Sequence, residues 1–190
     1  EEYASGRFIA DVIETSTGMD ILQRKGILQE YFSPETAAYG DEAKAKGKNG
    51  VYHPTDREIY ISLGFNTKLV SLADAPKSYK DLLNPKWKDK IVLNDPTVQG
   101  PGQRFVGVTA AKVKSWDYMK DLAKQNPAIN RDQRLQVEWV ARGKYAIGLG
   151  MQTDLPTEFI KAGAPIEEII PEDDYTASAG PNDLALINRA

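Results

Sequence analysis

Short apolar runs alternate with amphipathic, helix-like segments along this 190-residue chain, and the alternation limits the folds that it can adopt. The clearest strand is predicted over residues 57–66, where every second residue from Ile59 to Phe65 is apolar. The other predicted strands cover residues 8–13, 90–93, 145–149 and 166–170. Helices are predicted from Met19 and over 78–83, 132–141 and 155–162, and a long one carries its apolar stripe over 106–119 and ends at Asn126-Pro127. Strands that alternate with helices are typical of a sheet covered by helices, so the sequence predicts the α/β class.

Composition excludes several functions before any motif is considered. The 27 acidic residues exceed the 24 basic ones and give a formal charge of −3, which argues against binding to duplex nucleic acid. The lack of cysteine removes disulfides, thiolate metal sites and thiol nucleophiles. Mean hydropathy is −0.47, and no stretch approaches the roughly 18 apolar residues of a spanning helix. Trp116 and Trp139 follow the apolar spacing of their helices, so we expect both in the core.

The sequence offers little support for catalysis. Its single histidine, His53, has no serine motif of the GxSxG type to accompany it, which disfavours a serine hydrolase. A metal site at His53 is also disfavoured, because no second histidine exists, and a solvent-facing or locally hydrogen-bonded imidazole is expected. The acidic residues at 167, 168 and 172–174 could bind a hard cation or a polyamine, but a solvated loop is favoured.

Two strand–turn–helix junctions, at 13–19 and 93–103, are candidates for ligand binding. The first N–H groups of a helix lack partners within the helix and carry partial positive charge, so they attract anions. In the second junction the run from Gly100 to Gly102 lets the backbone approach a ligand, although it matches neither a P-loop nor a GxGxxG fingerprint. A turn that only begins a helix is an equally good interpretation of this run.

Residues 78–91, SYKDLLNPKWKDKI, resemble a signature of extracellular solute-binding proteins of ABC importers, in the subgroup that includes ferric-iron receptors. Three further stretches agree in order and spacing with that family, at 6–12, 65–70 and 143–165. The resemblance implies a non-enzymatic protein of the periplasm or the extracellular space, with membrane association left open. It also implies two partners, a small-molecule or ion ligand and the permease of an ABC importer.

The same resemblance implies a type II periplasmic-binding-protein fold, in which two α/β lobes are joined by two crossover segments. On that pattern residues 1–71 form a partial first lobe and the first crossover, 72–169 form the inserted second lobe, and 170–190 form the return crossover. The strands and helices with which family members usually begin and end are not in this sequence, and the first residue is not methionine. We therefore expect a fragment or a processed product, and self-association through the incomplete first lobe.

The resemblance implies that a ligand is held between the two lobes and is not changed chemically. It implies neither a cofactor nor a metal site. The candidate ligand-binding residues are Thr15, Ser16, Thr97, Gln99, Gly100, Gln103, Arg104, Gln152, Thr153, Asp154 and Tyr175. Ferric receptors of this group commonly use adjacent tyrosines, and Tyr175 has no tyrosine neighbour. A small polar or anionic ligand is therefore preferred to ferric iron or a polyamine. The effector-sensing domain of a bacterial transcription regulator is the alternative function.

Overall fold

The computed structural model describes residues 3–7, 9–15, 18–113, 115–169, 171 and 177–189, with the backbone alone described at 58, 59, 112, 113 and 177–181. The chain divides into two compact units. Unit 1 comprises Glu1–Glu58 and Gly180–Ala190, and unit 2 comprises Ile59–Ala179. The lobe boundaries expected from the sequence, at 71/72 and 169/170, remain predictions.

Nine strands and five α-helices are found among the described residues. The strands are β1 Val12–Thr15, β2 Leu28–Gln29, β3 Lys44–Lys46, β4 Val51–Asn66, β5 Ile91–Asn94, β6 Ala128–Asn130, β7 Ile147–Gln152, β8 Ile166–Ile169 and β9 Ala177–Ile187. The helices are α1 Met19–Arg24, α2 Pro101–Val108, α3 Trp116–Ala123, α4 Gln133–Ala141 and α5 Asp154–Lys161. No described helix combines the length and the hydropathy that a membrane span requires.

Unit 1 is a small antiparallel sheet with one short helix. Its strand order is β1-β9-β4, with β2 paired to β9 and β3 paired to β4. Met19, Leu28 and Ala185 form its buried core. The predicted buried strand over 8–13 is wrong: β1 begins only at Val12, and the side chains of Ile9 and Val12 are 64% and 48% exposed. The reason is that β1 lies at the end of this strand order, where the small core reaches only one of its faces.

Unit 2 is a mixed sheet covered by helices on both faces, which confirms the predicted α/β class. Its strand order is β4-β7-β5-β6, in which β5 runs parallel to β6 and β7, while β4 is antiparallel to β7 and β8. Side chains of β5 alternate between two cores, with Ile91 and Leu93 in one and Val92 in the other. The first core includes residues of α2 and α3, and the second includes residues of α4 and α5.

The segment that carries the family signature folds as two turns of 3-10 helix, Lys80–Leu83 and Pro85–Trp87. Asn84 separates them as predicted, and its side-chain oxygen accepts a hydrogen bond from the N–H of Lys86 at 3.0 Å. The apolar residues of the signature segment, Tyr79, Leu82 and Trp87, are buried in the first core of unit 2. The signature residues therefore anchor this connection to the sheet.

The long helix predicted over 106–119 is interrupted. Helix α2 ends at Val108, a π-helical turn follows over Thr109–Val113, and α3 starts after Ser115, whose hydroxyl accepts a hydrogen bond from the N–H of Tyr118 at 3.3 Å. The expectation that Trp116 is a core residue is wrong, because its side chain is 64% exposed. The new helix start rotates the apolar stripe, so that Tyr118 and Leu122 point into the core instead.

Strand β4 begins earlier than the sequence predicts, at Val51, because its first residues pair with β3. Strand β9, Ala177–Ile187, lies where the sequence predicts no strand. Polar residues near the middle of β9 have partners in unit 1: Asn182 donates to Glu14 at 2.6 Å, and Asp183 accepts from Thr55 at 3.1 Å. These partners allow a polar stretch to form a strand.

Candidate functional site in unit 2

The carboxyl ends of β5 and β7 form the topological switch point of unit 2. These two strands are parallel neighbours, but the helices that follow them pack on opposite faces of the sheet. Phe105 of α2 lies in the first core, and Phe159 of α5 packs against the second. In open α/β sheets small molecules bind in the crevice that this divergence leaves beyond the strand ends. The switch point is therefore the candidate functional site.

Helix α2 starts directly against the end of β5. A Cβ atom at Gly102 would lie 2.0 Å from the carbonyl oxygen of Asn94, so only glycine fits there. The buried side chain of Asn94 accepts a hydrogen bond from the N–H of Gly102 at 3.3 Å and donates one to the carbonyl of Asn130 at 3.1 Å. Asn94 thus links β5, β6 and the first turn of α2.

A β-bulge brings the end of β7 against the same helix. The register between β4 and β7 shifts at Ser62 and Leu63, opposite Gly150, which has a φ of 66°. A Cβ atom at Gly150 would lie 3.2 Å from the Cβ of Phe105 and 3.4 Å from the carbonyl oxygen of Pro101. The residues that follow β7 are consequently held close to the start of α2.

The loop between β5 and α2 is organised by Asp95. Its carboxylate accepts hydrogen bonds from the hydroxyl and the N–H of Thr97, at 2.7 and 2.8 Å, and from the Nε of Arg131 at 2.8 Å. The Thr97 hydroxyl, followed by Arg131, lowers the pKa of Asp95 from 3.8 to about 2. The hydroxyl proton of Thr97 is therefore used to position the loop.

This lowered pKa predicts a specific pH dependence of stability. A carboxyl group with a depressed folded-state pKa stabilises the fold above its ordinary value of 3.8, and this contribution is lost as the pH falls through about 2. Asp95→Asn is expected to lower the free energy of unfolding at pH 7, and the difference from the wild type is expected to shrink below pH 3.8. Urea unfolding at several pH values measures both effects.

Asp117→Asn provides the control, because the side chain of Asp117 is 82% exposed and forms a surface ion pair with Lys120, three residues away on the same helix. This variant is expected to change stability little at any pH. Equal pH profiles for the two variants would contradict the role of Asp95.

Residues after β7 form a second polar group at the switch point. The side-chain nitrogen of Gln152 donates to Asp154 at 3.1 Å, and Asp154 also accepts from the N–H of Leu155 at 3.0 Å. Thr153 donates its N–H to the carbonyl of Tyr60 at 3.1 Å. The three predicted residues are thus fixed by local hydrogen bonds at the start of α5.

Basic and amide groups surround the start of α2. Gly100, with a φ of 153°, precedes the helix, Gln103 is exposed, and Arg104 is half-buried. Burial lowers the pKa of the Arg104 guanidinium from its ordinary value, although arginine stays protonated. A Cβ atom at Gly100 would lie 3.9 Å from the side-chain nitrogen of Gln133. The guanidinium therefore places a positive charge near this helix start.

The predicted residues of the second junction and those at 152–154 all lie in unit 2. Thr15 lies in unit 1, in β1 opposite Asp183, and Ser16 and Tyr175 lie outside the described residues. Sequence reasoning missed Asn94 and Gln133. A polar residue that directly ends a buried strand, as Asn94 does, was the available signal for the first of these.

The expected solvent-facing imidazole at His53 is wrong, and the partner of this side chain is not local but comes from a distant segment of the chain. The Nδ1 of His53 lies 3.0 Å from a carboxylate oxygen of Asp183, and both side chains are largely buried in unit 1. The prediction of a solvated acidic loop is wrong for Glu167 and Glu168, which belong to β8, with Glu168 partly buried. Within the described part of the chain no three histidine or acidic side chains are grouped so that they could hold a metal ion.

Solved structures define the class of fold. The Actinobacillus pleuropneumoniae periplasmic binding protein AfuA, with fructose-6-phosphate bound, matches with a TM-score of 0.75 and 21% identity over 95% of this chain and 59% of its own. Iron-bound HitA from Pseudomonas aeruginosa has a TM-score of 0.74 and 19% identity, over 99% of this chain and 62% of its own. The substrate-binding protein of an Agrobacterium tumefaciens ABC transporter has a TM-score of 0.77 and 15% identity, over 98% and 56%. The fold is that of the periplasmic binding proteins, as predicted.

The sequence profile of the family described as bacterial extracellular solute-binding protein matches residues 9–173, and the chain belongs to this family. The family expected from the 78–91 signature is thereby confirmed, and it is a non-enzymatic family of the periplasm or extracellular space. An uncharacterized protein of Haemophilus influenzae is 27% identical over 157 residues, which cover 77% of this chain and 44% of that protein. The chain spans about three fifths of the length of each structural relative named above.

Proposed function

We propose that this protein captures a small anionic solute at the switch point of unit 2 and delivers it to an ABC importer. The observation that carries the proposal is the position of the α2 N-terminus, which lies beyond the carboxyl ends of β5 and β7 beside Arg104. The helix dipole and a guanidinium both favour negative charge. Family membership supports the role of receptor, and binding changes no bond in the solute.

The binding group of the anion is proposed to lie among Gly100, Gln103 and Arg104, with Gln99 in the preceding loop. Asn94 already accepts from the N–H of Gly102, and Pro101 has no N–H, so the backbone alone contributes few donors. Side chains of α2 would then supply most of the hydrogen bonds to the solute. Thr153, after β7, is proposed as a contact from the opposite side of the crevice.

A thermal-shift screen tests the proposal, because a ligand that binds only the folded state raises the melting temperature by mass action. The panel contains phosphate and carboxylate compounds, sugar phosphates, neutral sugars, polyamines and ferric citrate. Sugar phosphates are included because one structural relative holds fructose-6-phosphate, and ferric citrate because another holds iron. We expect only anionic compounds to raise the melting temperature. A response restricted to polyamines or neutral sugars would overturn the proposed ligand class.

Gln103→Ala is expected to weaken binding of the strongest anion in this panel by roughly tenfold, since it removes one hydrogen bond to a charged group. The side chain of Gln103 is exposed on α2, so the fold should be unaffected. Gln29→Ala, at an exposed position of β2 in unit 1, is the matched control. Calorimetric titration compares them, and equal affinities for the two variants would remove Gln103 from the site.

A further inference from the structure

A largely apolar cavity of about 400 Å³ lies in unit 2, and its apolar wall is not used by the anion-binding groups proposed above. Seven of the described residues that line it are apolar or aromatic: Tyr60, Ile61, Leu63, Tyr79, Phe105, Ile169 and Pro171. Small-molecule sites of proteins commonly have volumes of about 300–1,000 Å³ and walls of this kind. The cavity is therefore large enough for an aromatic ring or a short aliphatic chain.

The cavity adjoins the switch point through two shared elements. Phe105, on its wall, lies four residues after Pro101 on α2, which corresponds to a rise of about 6 Å along the helix. Thr153, which follows β7, lines the cavity and donates its N–H to Tyr60, another wall residue, at 3.1 Å. A compound with the length of a substituted phenyl ring could reach from the start of α2 into the cavity.

Polar groups are few on the cavity wall. Besides the two tyrosines, Tyr60 and Tyr79, they belong to Thr153, Ser62 and Glu168. One carboxylate oxygen of Glu168 is buried and has no hydrogen-bond partner among the described residues. Burial raises the pKa of Glu168, while a hydrogen bond with Ser62 acts in the opposite direction. An unsatisfied buried oxygen favours a ligand that also carries a hydrogen-bond donor.

We infer that the solute is an organic anion with an apolar body, whose charged group binds at the start of α2 while its body fills this cavity. The inference rests on the proposed function and narrows its ligand class. An inorganic oxyanion has no apolar part that could fill the cavity. Unsubstituted sugars and polyamines have too little apolar surface to fill it. Aryl or branched alkyl phosphates and carboxylates meet both requirements.

Two charge-matched pairs of probes test the inference by calorimetric titration: phenyl phosphate against methyl phosphate, and benzoate against acetate. Within a pair the anionic group is the same, so the difference in affinity reports the burial of the ring. In the pair that binds, we expect the aryl compound to bind tenfold to a hundredfold more tightly, given the apolar area of a phenyl ring. Equal affinity, or tighter binding of the smaller anion, overturns the inference and leaves the proposed function standing. Binding of neither pair, in a protein shown to be folded, overturns the inference, and the thermal-shift panel then decides separately on the proposed function.

Tyr60→Ala locates the ring. The side chain of Tyr60 is 43% exposed, so its removal should leave the fold intact while it opens one wall of the cavity. The preference for the aryl over the alkyl anion is expected to fall at least threefold. Tyr39→Ala is the matched control, because Tyr39 is 38% exposed and lies in unit 1. A preference that stays at the wild-type value in the Tyr60 variant would place the ring elsewhere and overturn the inference.

Discussion

Gly102→Ala is expected to destabilise the protein by about 3 kcal/mol or more. The added Cβ would lie 2.0 Å from the carbonyl oxygen of Asn94 and 2.9 Å from the carbonyl carbon of Asp95. Both atoms belong to the backbone, so neither can rotate away. Helix α2 would have to move off the end of β5, and the hydrogen bond from Gly102 to Asn94 would be lost.

Gly107→Ala is the control for this experiment, since Gly107 lies on the same helix and an added Cβ there meets no atom within 4 Å. Alanine has the higher helix propensity, so this variant is expected to gain up to about 1 kcal/mol. Urea unfolding monitored by circular dichroism measures both variants. Similar stabilities for the two would show that the close approach of α2 to β5 is absent.

Asn66→Asp is expected to cost about 3 kcal/mol although it changes one atom. Asn66 is 2% exposed, and its side-chain nitrogen donates to the carbonyls of Val140 and Ala141 at 2.7 and 3.1 Å. Its side-chain oxygen accepts from the N–H of Lys68 at 2.9 Å. The aspartate keeps the acceptor but loses both donors, leaves two carbonyls without their partner and introduces a buried negative charge beside them.

Asn49→Asp makes the same chemical change at an exposed position of unit 1 and is expected to alter the free energy of unfolding by less than about 0.5 kcal/mol. Thermal and urea unfolding should agree on this ranking. If Asn66→Asp lowers the stability no more than Asn49→Asp does, the hydrogen bonds of Asn66 do not connect β4 with the end of α4. The role of Asn66 also gives a structural reason for its place in the 65–70 segment that carries part of the family resemblance.

Residue patterns predicted the elements of unit 2 well because these depend on local periodicity. The alternation in 57–66 and the apolar spacing in 132–141 correspond to β4 and α4, although β4 already begins at Val51. The prediction was wrong at 106–119, where a regular apolar spacing continued across two helices. Only the N-cap residue Ser115 signals where the second helix starts, and a cap does not alter the apolar spacing.

The candidate site was predictable in part. The run from Gly100 to Gly102 predicted a turn at which the backbone approaches another group closely. In the structure that group is the end of β5 and not a ligand. The tertiary role of Asn94 was not predictable, because its partners Gly102 and Asn130 come from separate segments. The cavity beside α2 could not be predicted either, since its walls combine residues from Tyr60 to Pro171.

The sequence by itself determined the α/β class, the family and the segments that carry polar turns, because periodicity, turn chemistry and signature motifs are properties of neighbouring residues. Only the tertiary structure decided that the ends of β5 and β7 meet at the start of α2. The strand order β4-β7-β5-β6 places distant segments side by side, and the bulge at Gly150 shifts the end of β7. Which polar groups then face a ligand, and which are used within the protein, depends on packing between those segments.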